Sequence, residues 1–427
     1  MFYRFFRAAA GLALRLFFRI ETPVDPHDGL KLEGPVMYVG NHPNGLIDPG
    51  VLFALSQRQV TFLAKEPLFR TPGIGAILRG LGALPVFRKQ DGPGDTTKNE
   101  GTLTASVEAL KQGRVITIFP EGKSHSEPQL AELKTGAARI ALEAVRQGAA
   151  VKIVPVGITY EAKNLFGSRV HVDVGAPISP SGEARELTTT IANALKAVTL
   201  NLAAWEELPL IQTAEALYAL ASNSRAGDTE RLKAFARGVT ALREEQPERF
   251  EELKARLVHF RSRLSLLAMS ADDVHSRFQP ATVTWFVVRN VLWLATLPVF
   301  ALGMLVFAIP YFLPLLAVRL AKPDVDTEST VKVLTAMVVA PVWWVLLTAL
   351  SWWQGGVVAG LVTFVTVPPL AIFTRMFFER RASALRDVRT FFVLGSRKSL
   401  QRRLVEEGRE IAGEVEKLVG EFSARVA

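Results

Sequence analysis

The apolar character of residues 283–378 constrains this chain more than any other feature. Residues 333–353 and 357–372 are two long apolar runs separated by Gln354, Gly355 and Gly356. A helix of about 20 apolar residues spans a bilayer, and the Gln-Gly-Gly triplet reads as a tight turn, so the runs are expected to form a membrane hairpin. Upstream, residues 283–318 are equally apolar but carry Pro298, Pro310 and Pro314; Pro310 either divides the stretch into two short spans or kinks one. A chain of 427 residues with such segments cannot be one water-soluble core, and its length suggests two or three units. Arg375, Arg380, Arg381, Arg386, Arg389, Arg397, Lys398, Arg402 and Arg403 follow the last run, which predicts a cytoplasmic tail. If the N-terminal part is cytoplasmic too, the number of crossings is even, which favours two hairpins.

Other bulk features narrow the chemistry. No cysteine is present, so disulfides, thiolate metal sites and a cysteine nucleophile are excluded. His27, His171, His259 and His275 have no partner pattern, so no metal is expected. The net charge of +9 suits nucleic acid, anionic lipid or an anionic substrate. With membrane segments present and no nucleic-acid motif, lipid and substrate are favoured and a nucleic-acid partner is not expected.

Before the apolar stretch the patterning changes repeatedly. Residues 1–20 place Arg4, Arg7, Arg15 and Arg19 on one side of a helix and Phe2, Phe5, Phe6, Leu12, Leu16 and Phe17 mostly elsewhere, as in a helix lying in the membrane interface. A cleaved signal peptide fits less well, because its apolar centre is short and is followed by Arg15, Phe17, Phe18 and Arg19. Residues 21–205 alternate short apolar runs with helical patterns. Strands are predicted at 36–39, 61–64, 84–87, 115–119, 153–159 and 170–174, and helices at 50–56, 73–81, 101–112, 132–147 and 182–203. The fold class is therefore an α/β domain with a mixed or mostly parallel sheet and flanking helices. Residues 89–98 read as a surface loop.

Residues 206–280 are helical throughout. Phe250, Leu253, Leu257, Phe260, Leu264 and Leu267 mark an apolar stripe, expected to belong to a helical hairpin packed on the α/β unit. Residues 281–378 are the transmembrane part, and 379–427 a basic tail. In the tail, Leu404, Ile411, Val415, Leu418 and Phe422 form a heptad-like set suited to packing on a neighbour or to self-association.

Four clusters fall at predicted strand ends, where the loops of an open α/β sheet converge. The first holds Asn41, His42 and Asp48. The second runs from Lys65 and Glu66 through a Gly-rich segment to Arg88. The third is Phe119, Pro120, Glu121, Gly122, Lys123, Ser124, His125 and Ser126, leading to Lys134. The fourth is Val154, Pro155, Val156 and Gly157. His42 and Asp48 read as a base with its orienter. On a continuous helix an offset of six residues separates side chains in angle, so contact between them requires the loop to fold back, which Pro43 and Gly45 favour.

In order and content these clusters resemble the glycerolipid acyltransferase family, which includes glycerol-3-phosphate and lysophosphatidic acid acyltransferases. The resemblance covers residues 35–178. It implies transfer of an acyl group from a thioester, acyl-CoA or acyl carrier protein as co-substrate without a further cofactor, to a phosphorylated glycerol or lysolipid acceptor. His42 would act as general base and Asp48 as its orienter. Asn41, Lys65, Arg88, Glu121, Gly122, Lys123, Ser124 and His125 would bind substrate, Arg88 matching the family's phosphate-binding arginine. For His125, support of the third cluster and substrate contact stand as equal alternatives. Lys134 reads as a structural or surface charge.

Five residues separate His42 from Asp48 where most of the family has four. A branch of membrane glycerol-3-phosphate and dihydroxyacetone-phosphate acyltransferases is similar in this respect, and tilts the acceptor toward glycerol 3-phosphate. The apolar segments and the basic tail predict an integral membrane protein with its catalytic domain in the cytoplasm, in the inner membrane if bacterial. The competing readings are acylation of another lysolipid or lipid-linked acceptor, and a non-catalytic lipid-binding protein. Guanidinium offers phosphate a planar fork that an ammonium lacks, so Arg88→Lys is expected to raise KM for a phosphorylated acceptor. Unchanged acceptor dependence in steady-state assays would remove Arg88 from the site.

Overall fold

The computed structural model describes residues 2–87, 99–224, 227–267, 269–271, 280–395 and 398–426. Arg88, His275 and the expected 89–98 loop lie outside the described residues. The chain forms two compact units, Met1–Leu200 with Ala317–Leu334, and Asn201–Leu316 with Thr335–Ala427.

In the first unit, β1 (Arg19–Ile20), β2 (Val36–Gly40), β3 (Val60–Lys65), β4 (Leu84–Val86), β5 (Val115–Ile118), β6 (Lys152–Tyr160) and β7 (Arg169–Val174) form one sheet. Its order is β1-β7-β6-β2-β5-β3-β4. All neighbouring strands are parallel except β6 and β7. This is the mixed, mostly parallel α/β sheet that the apolar runs predict. Strand β2 sits between β6 and β5 with all five residues buried, because a central parallel strand is covered on both faces.

Helices cover the sheet: α1 (Phe2–Phe17), α2 (Ile47–Leu55), α3 (Glu66–Arg70), α4 (Ile74–Gly80), α5 (Asn99–Lys111), α6 (Gly136–Arg146) and α7 (Ala184–Val198). Met37 and Val39 of β2, with Ile116 and Ile153, pack against Val107 and Leu110 of α5, Ile140 of α6 and Ile191 and Leu195 of α7. Val36 and Tyr38 point to the opposite face, as the two-residue period requires, and the Tyr38 hydroxyl donates to Leu30 O at 3.2 Å. Fully burying such a side chain contributes about 1.5–3 kcal/mol, against about 0–1 kcal/mol for an exposed ion pair, so the apolar layers carry this fold.

Several elements differ from the sequence expectation for local reasons. Helix α2 begins at Ile47, so Asp48 lies in a first helical turn, not a loop; the Ile47 N–H donates to Asn44 O at 2.9 Å, and Pro49 needs no partner there. Residues 132–135 are not helical, because the Lys134 N–H donates to Pro120 O at 2.8 Å. Helix α7 starts at Ala184 behind a Glu183/Glu186 capping box and stops at Val198. The two-residue strand β1 and the five-residue α3 are too short for periodicity to register.

Helix α1 shows a division that charge patterning does not reveal. Tyr3 and Phe6 lie against Phe53 of α2, at ring separations of 5.0 and 6.0 Å, and Leu14 is buried. Phe5, Leu12 and Leu16, on another side, remain exposed.

The second unit contains α8 (Leu208–Ala221), α9 (Thr229–Glu245), α10 (Pro247–Leu266), α11 (Pro280–Ala295), α12 (Leu297–Val306), α13 (Ala308–Ala321, shared with the first unit), α14 (Glu328–Gly395, likewise shared) and α15 (Lys398–Val426). The apolar stripe of α10 was expected to pack on the α/β unit. Instead Phe250, Leu253, Leu257, Phe260 and Leu264 are buried where α10 meets α8, α9 and α15. The tail positions Leu404, Ile411, Val415 and Leu418 are buried in the same bundle, so this stripe packs on neighbouring helices of the chain.

Helix α14 is broken at Gly356, whose φ of 74° and ψ of −172° are not helical. Trp344 stacks on Phe364 at 4.5 Å and donates from Nε1 to Phe364 O at 3.1 Å, so the two arms fold back on each other, as the Gln-Gly-Gly triplet predicts. Among the described residues, Glu328–Phe378 is long and apolar enough to cross a membrane. Val287–Ala295 and Leu297–Val306, bent by 48°, make a second candidate span. The breaks in this earlier stretch fall at Thr296 and Phe307 rather than at Pro310, which sits in the first turn of α13 where its missing N–H costs nothing.

Gly157 of β6 marks the tightest approach between sheet and helix: a Cβ there would stand 1.9 Å from Val198 O at the end of α7. Gly157→Ala is expected to destabilise the protein by about 1–3 kcal/mol through overpacking. A melting temperature equal to the parent's would show that α7 has slack.

Candidate active site

The carboxyl ends of β2, β3, β4, β5 and β6 lie on one edge of the sheet, because these strands are mutually parallel. Their following loops therefore converge there, and β2 delivers Asn41 and His42 at its centre.

Asn41 continues the ladder with its side chain. Its Nδ2 donates to Ile158 O at 3.0 Å, and its Oδ1 accepts from the Ile158 N–H at 2.7 Å. The amide expected to bind substrate is thus committed to β6, and it fixes where the chain leaves the sheet.

His42 and Asp48 meet despite the long spacing. Nδ1 of His42 lies 2.8 Å from Oδ2 of Asp48, which is fully buried. The same Oδ2 accepts from the Asn44 N–H at 2.7 Å, and Oδ1 accepts from the Tyr160 hydroxyl at 2.6 Å. The fold-back arises because Asp48 rides on the first turn of α2 while the 43–46 loop reverses the chain in front of it. A proton on Nδ1, directed at the carboxylate, leaves Nε2 of the neutral ring as the acceptor. Among the described residues no protein group hydrogen-bonds to Nε2. The ring stacks on Phe119 at 4.4 Å and 19°.

Tyr160 was not singled out from the sequence. Its position at the end of the strand that carries the Val-Pro cluster was the available signal. Burial, then the Asp48 charge, push its hydroxyl well above the usual tyrosine range, so it remains a donor to the carboxylate.

The third cluster grips the histidine from its backbone. Glu121 is buried; its Oε1 accepts from the His42 N–H at 2.7 Å and its Oε2 accepts from the Ala131 N–H at 3.0 Å and contacts His125 Nε2. The His125 N–H in turn donates to His42 O at 3.1 Å. Of the two readings of His125, this geometry provides the supporting one. Gly122 turns with a φ of 74° beneath the Lys134 side chain, and Lys65 and Lys123 are exposed at strand ends. Ser124 is partly buried in the same loop.

Lys163, after β6, was also missed. Its Nζ donates to Pro43 O at 2.8 Å and to Ser126 Oγ at 2.6 Å, bridging the first and third clusters. Burial lowers its pKa, opposed by the Asp326 and Asp48 charges.

A histidine aligned by a buried carboxylate therefore stands on the central strand-end loop of the α/β sheet. The sequence model of the Acyltransferase family matches residues 21–159. A 1-acyl-sn-glycerol-3-phosphate acyltransferase of Bacillus subtilis is 35% identical over 83 residues, 19% of this chain and 37% of that protein. Glycerol-3-phosphate O-acyltransferase 2 of Saccharomyces cerevisiae is 34% identical over 134 residues, 28% of this chain and 18% of that protein. The chain thus matches well under two thirds of the length of these relatives. The solved 1-acyl-sn-glycerophosphate (LPA) acyltransferase PlsC from Thermotoga maritima is similar with a TM-score of 0.37 and 19% identity, over 46% of this chain and 78% of that one. The α/β part of the chain thus matches the Acyltransferase family and is similar to 1-acylglycerol-3-phosphate and glycerol-3-phosphate acyltransferases.

The Glu121 carboxylate raises the pKa of His125, burial opposing it. The Glu127 N–H, 3.2 Å from Nδ1, favours the neutral ring, but the carboxylate contact is the larger influence. A raised folded-state pKa gives stability that is fully present below the unfolded histidine value of about 6.5 and is lost as pH rises through the folded value. The His125 ring resonance is therefore expected to titrate above about 6.5 by NMR, and Glu121→Gln to lower that midpoint. Equal midpoints in parent and variant would break the assignment.

Proposed function

We propose that this protein is a membrane-bound O-acyltransferase of glycerolipid synthesis, moving an acyl chain from a thioester to a hydroxyl of glycerol 3-phosphate or its 1-acyl derivative. The observation that carries the proposal is the His42–Asp48 contact with Nε2 left as the open acceptor. Nε2 takes the acceptor's hydroxyl proton as the oxygen attacks the thioester carbonyl. The tetrahedral intermediate collapses by breaking the C–S bond, and the imidazolium returns the proton to the departing thiolate. Asp48 stabilises the charged ring between these steps, and Tyr160 keeps Asp48 in place. With no cysteine and no Gly-x-Ser-x-Gly elbow, direct attack by the acceptor is simpler than a covalent acyl-enzyme.

The match of residues 21–159 to the Acyltransferase family and the relatives' names support the reaction class. The five-residue spacing between His42 and Asp48 favours glycerol 3-phosphate as acceptor. Arg88, with Lys65, Lys123 and the Ser124 loop, is assigned to the acceptor phosphate, and acyl-CoA or acyl carrier protein to the donor role. The exposed apolar surface of the second unit supports embedding in a bilayer: Leu305 is 77% exposed and Trp353 82%. The exposed stripe of α1, flanked by arginines, supports contact with the membrane surface, and the basic residues beyond Phe373 support a cytoplasmic catalytic domain.

The test uses purified full-length protein with acyl-CoA and with acyl-loaded carrier protein, against glycerol 3-phosphate and its 1-acyl derivative. Turnover is expected with one of these pairs. His42→Ala is expected to lower kcat by about 10²–10⁴-fold, the usual contribution of a general base. An alanine variant within a few-fold of the parent sinks the proposal.

A further inference from the structure

The linker between α13 and α14 does more than join two helices. Its residues pack in the first unit, on the loop that carries His42. The Leu46 N–H, at the N-terminal cap of α2, donates to Thr330 Oγ1 at 3.1 Å. Gly45, one residue earlier, has a φ of 42°, and a Cβ there would stand 2.9 Å from Thr330 Oγ1 and 3.0 Å from Asp326 O. The tip of the loop is therefore seated on the linker with no room for a side chain.

The linker also grips the loop indirectly. Asn44 Nδ2 donates to Lys163 O at 3.3 Å, and the Ser329 hydroxyl donates to the same oxygen. Lys332 Nζ donates to Asn164 O at 2.8 Å and lies 2.5 Å from Glu328, whose other oxygen accepts from Asn164 Nδ2 at 3.4 Å. Ser329 is fully buried and Thr330 nearly so, which is unusual for polar residues at the start of a long apolar helix unless their hydroxyls are committed. Pro43 O, Asn44, Gly45 and Leu46 are thus all held by Lys163 or by the linker, while Asp48, Glu121, His125 and Phe119 contact His42.

We infer that Thr330, supported by Ser329, is a positioning residue for the His42–Asp48 pair: the first turn of α14 sets the path of the five-residue loop between them. Asp48 takes its place from the start of α2, and the start of α2 takes its place from Thr330. Freed of this contact, the loop around Gly45 loses its seat on the linker, and the ring no longer meets its carboxylate in one orientation. The inference rests on the general-base reading of His42.

The experiment compares Thr330→Val, which keeps the shape and removes the acceptor, with Thr330→Ser, which restores it, in the full-length protein. Thr330→Val is expected to lower kcat about tenfold, as small misplacements of catalytic groups do, with KM for donor and acceptor within about twofold of the parent. Thr330→Ser is expected to recover most of the rate. Should Thr330→Val fail to fold, Ser329→Ala provides the second reading, with kcat lowered several-fold at unchanged KM. Parental kcat in the folded variants, or a loss that appears only in KM, or equal losses in Thr330→Val and Thr330→Ser, overturns the inference. His42→Ala in the same assays separates the two claims: a rate within a few-fold of the parent there overturns the base itself, whereas parental kcat in Thr330→Val overturns only the positioning role.

Discussion

The buried carboxylate of Asp48 is the interaction on which the site depends. A buried anion is stable only when donors surround it, and Asp48 has three, from the His42 ring, the Asn44 backbone and the Tyr160 hydroxyl. Each donor comes from a different piece of structure: the end of β2, the reversing loop and the end of β6. The requirement to satisfy one charge thereby fixes three segments against one another. The same demand that makes the carboxylate costly to bury makes the imidazole orientation definite.

Around that centre the sheet works as a frame for loops. Parallel strands put their carboxyl ends on one edge, and antiparallel β7 closes the side of β6 away from β2. Glu121 then ties β5 to β2 through the His42 backbone, and Lys163 ties the loop after β6 to the first and third clusters. Little of this network touches the open Nε2. Most of these polar contacts hold the histidine in one place.

How much of this was legible in the sequence depends on the range of the signal. The buried strands were legible because parallel strands covered on both faces are continuous apolar runs, and β2, β5 and β6 appear within a residue or two of their expected ends. The Gly356 turn was legible from local chemistry. Asp48 was identified as a residue but not as a helical one, because the cap of α2 depends on Asn44 O and on a linker nearly 300 residues away in sequence. Tyr160 and Lys163 were not found, since each acts through a contact more than 100 residues long. The partners of α10 and α15 were missed for the same reason: an apolar stripe states that it will be covered and not by what. Arg88, central to the acceptor reading, lies outside the described residues.

The bidentate contact of Asn41 with Ile158 carries a consequence for how required residues are interpreted. It replaces one rung of a backbone ladder with a side chain, so a feature that is normally written in the peptide bond, and is indifferent to sequence, is here written in the amino acid. Glu121 does likewise for the His42 amide. A survey of intolerant positions would place Asn41 and Glu121 beside His42 and suggest three participants in chemistry. In this structure two of them are joinery: Asn41 holds the end of β2 to β6, and Glu121 holds the His42 amide.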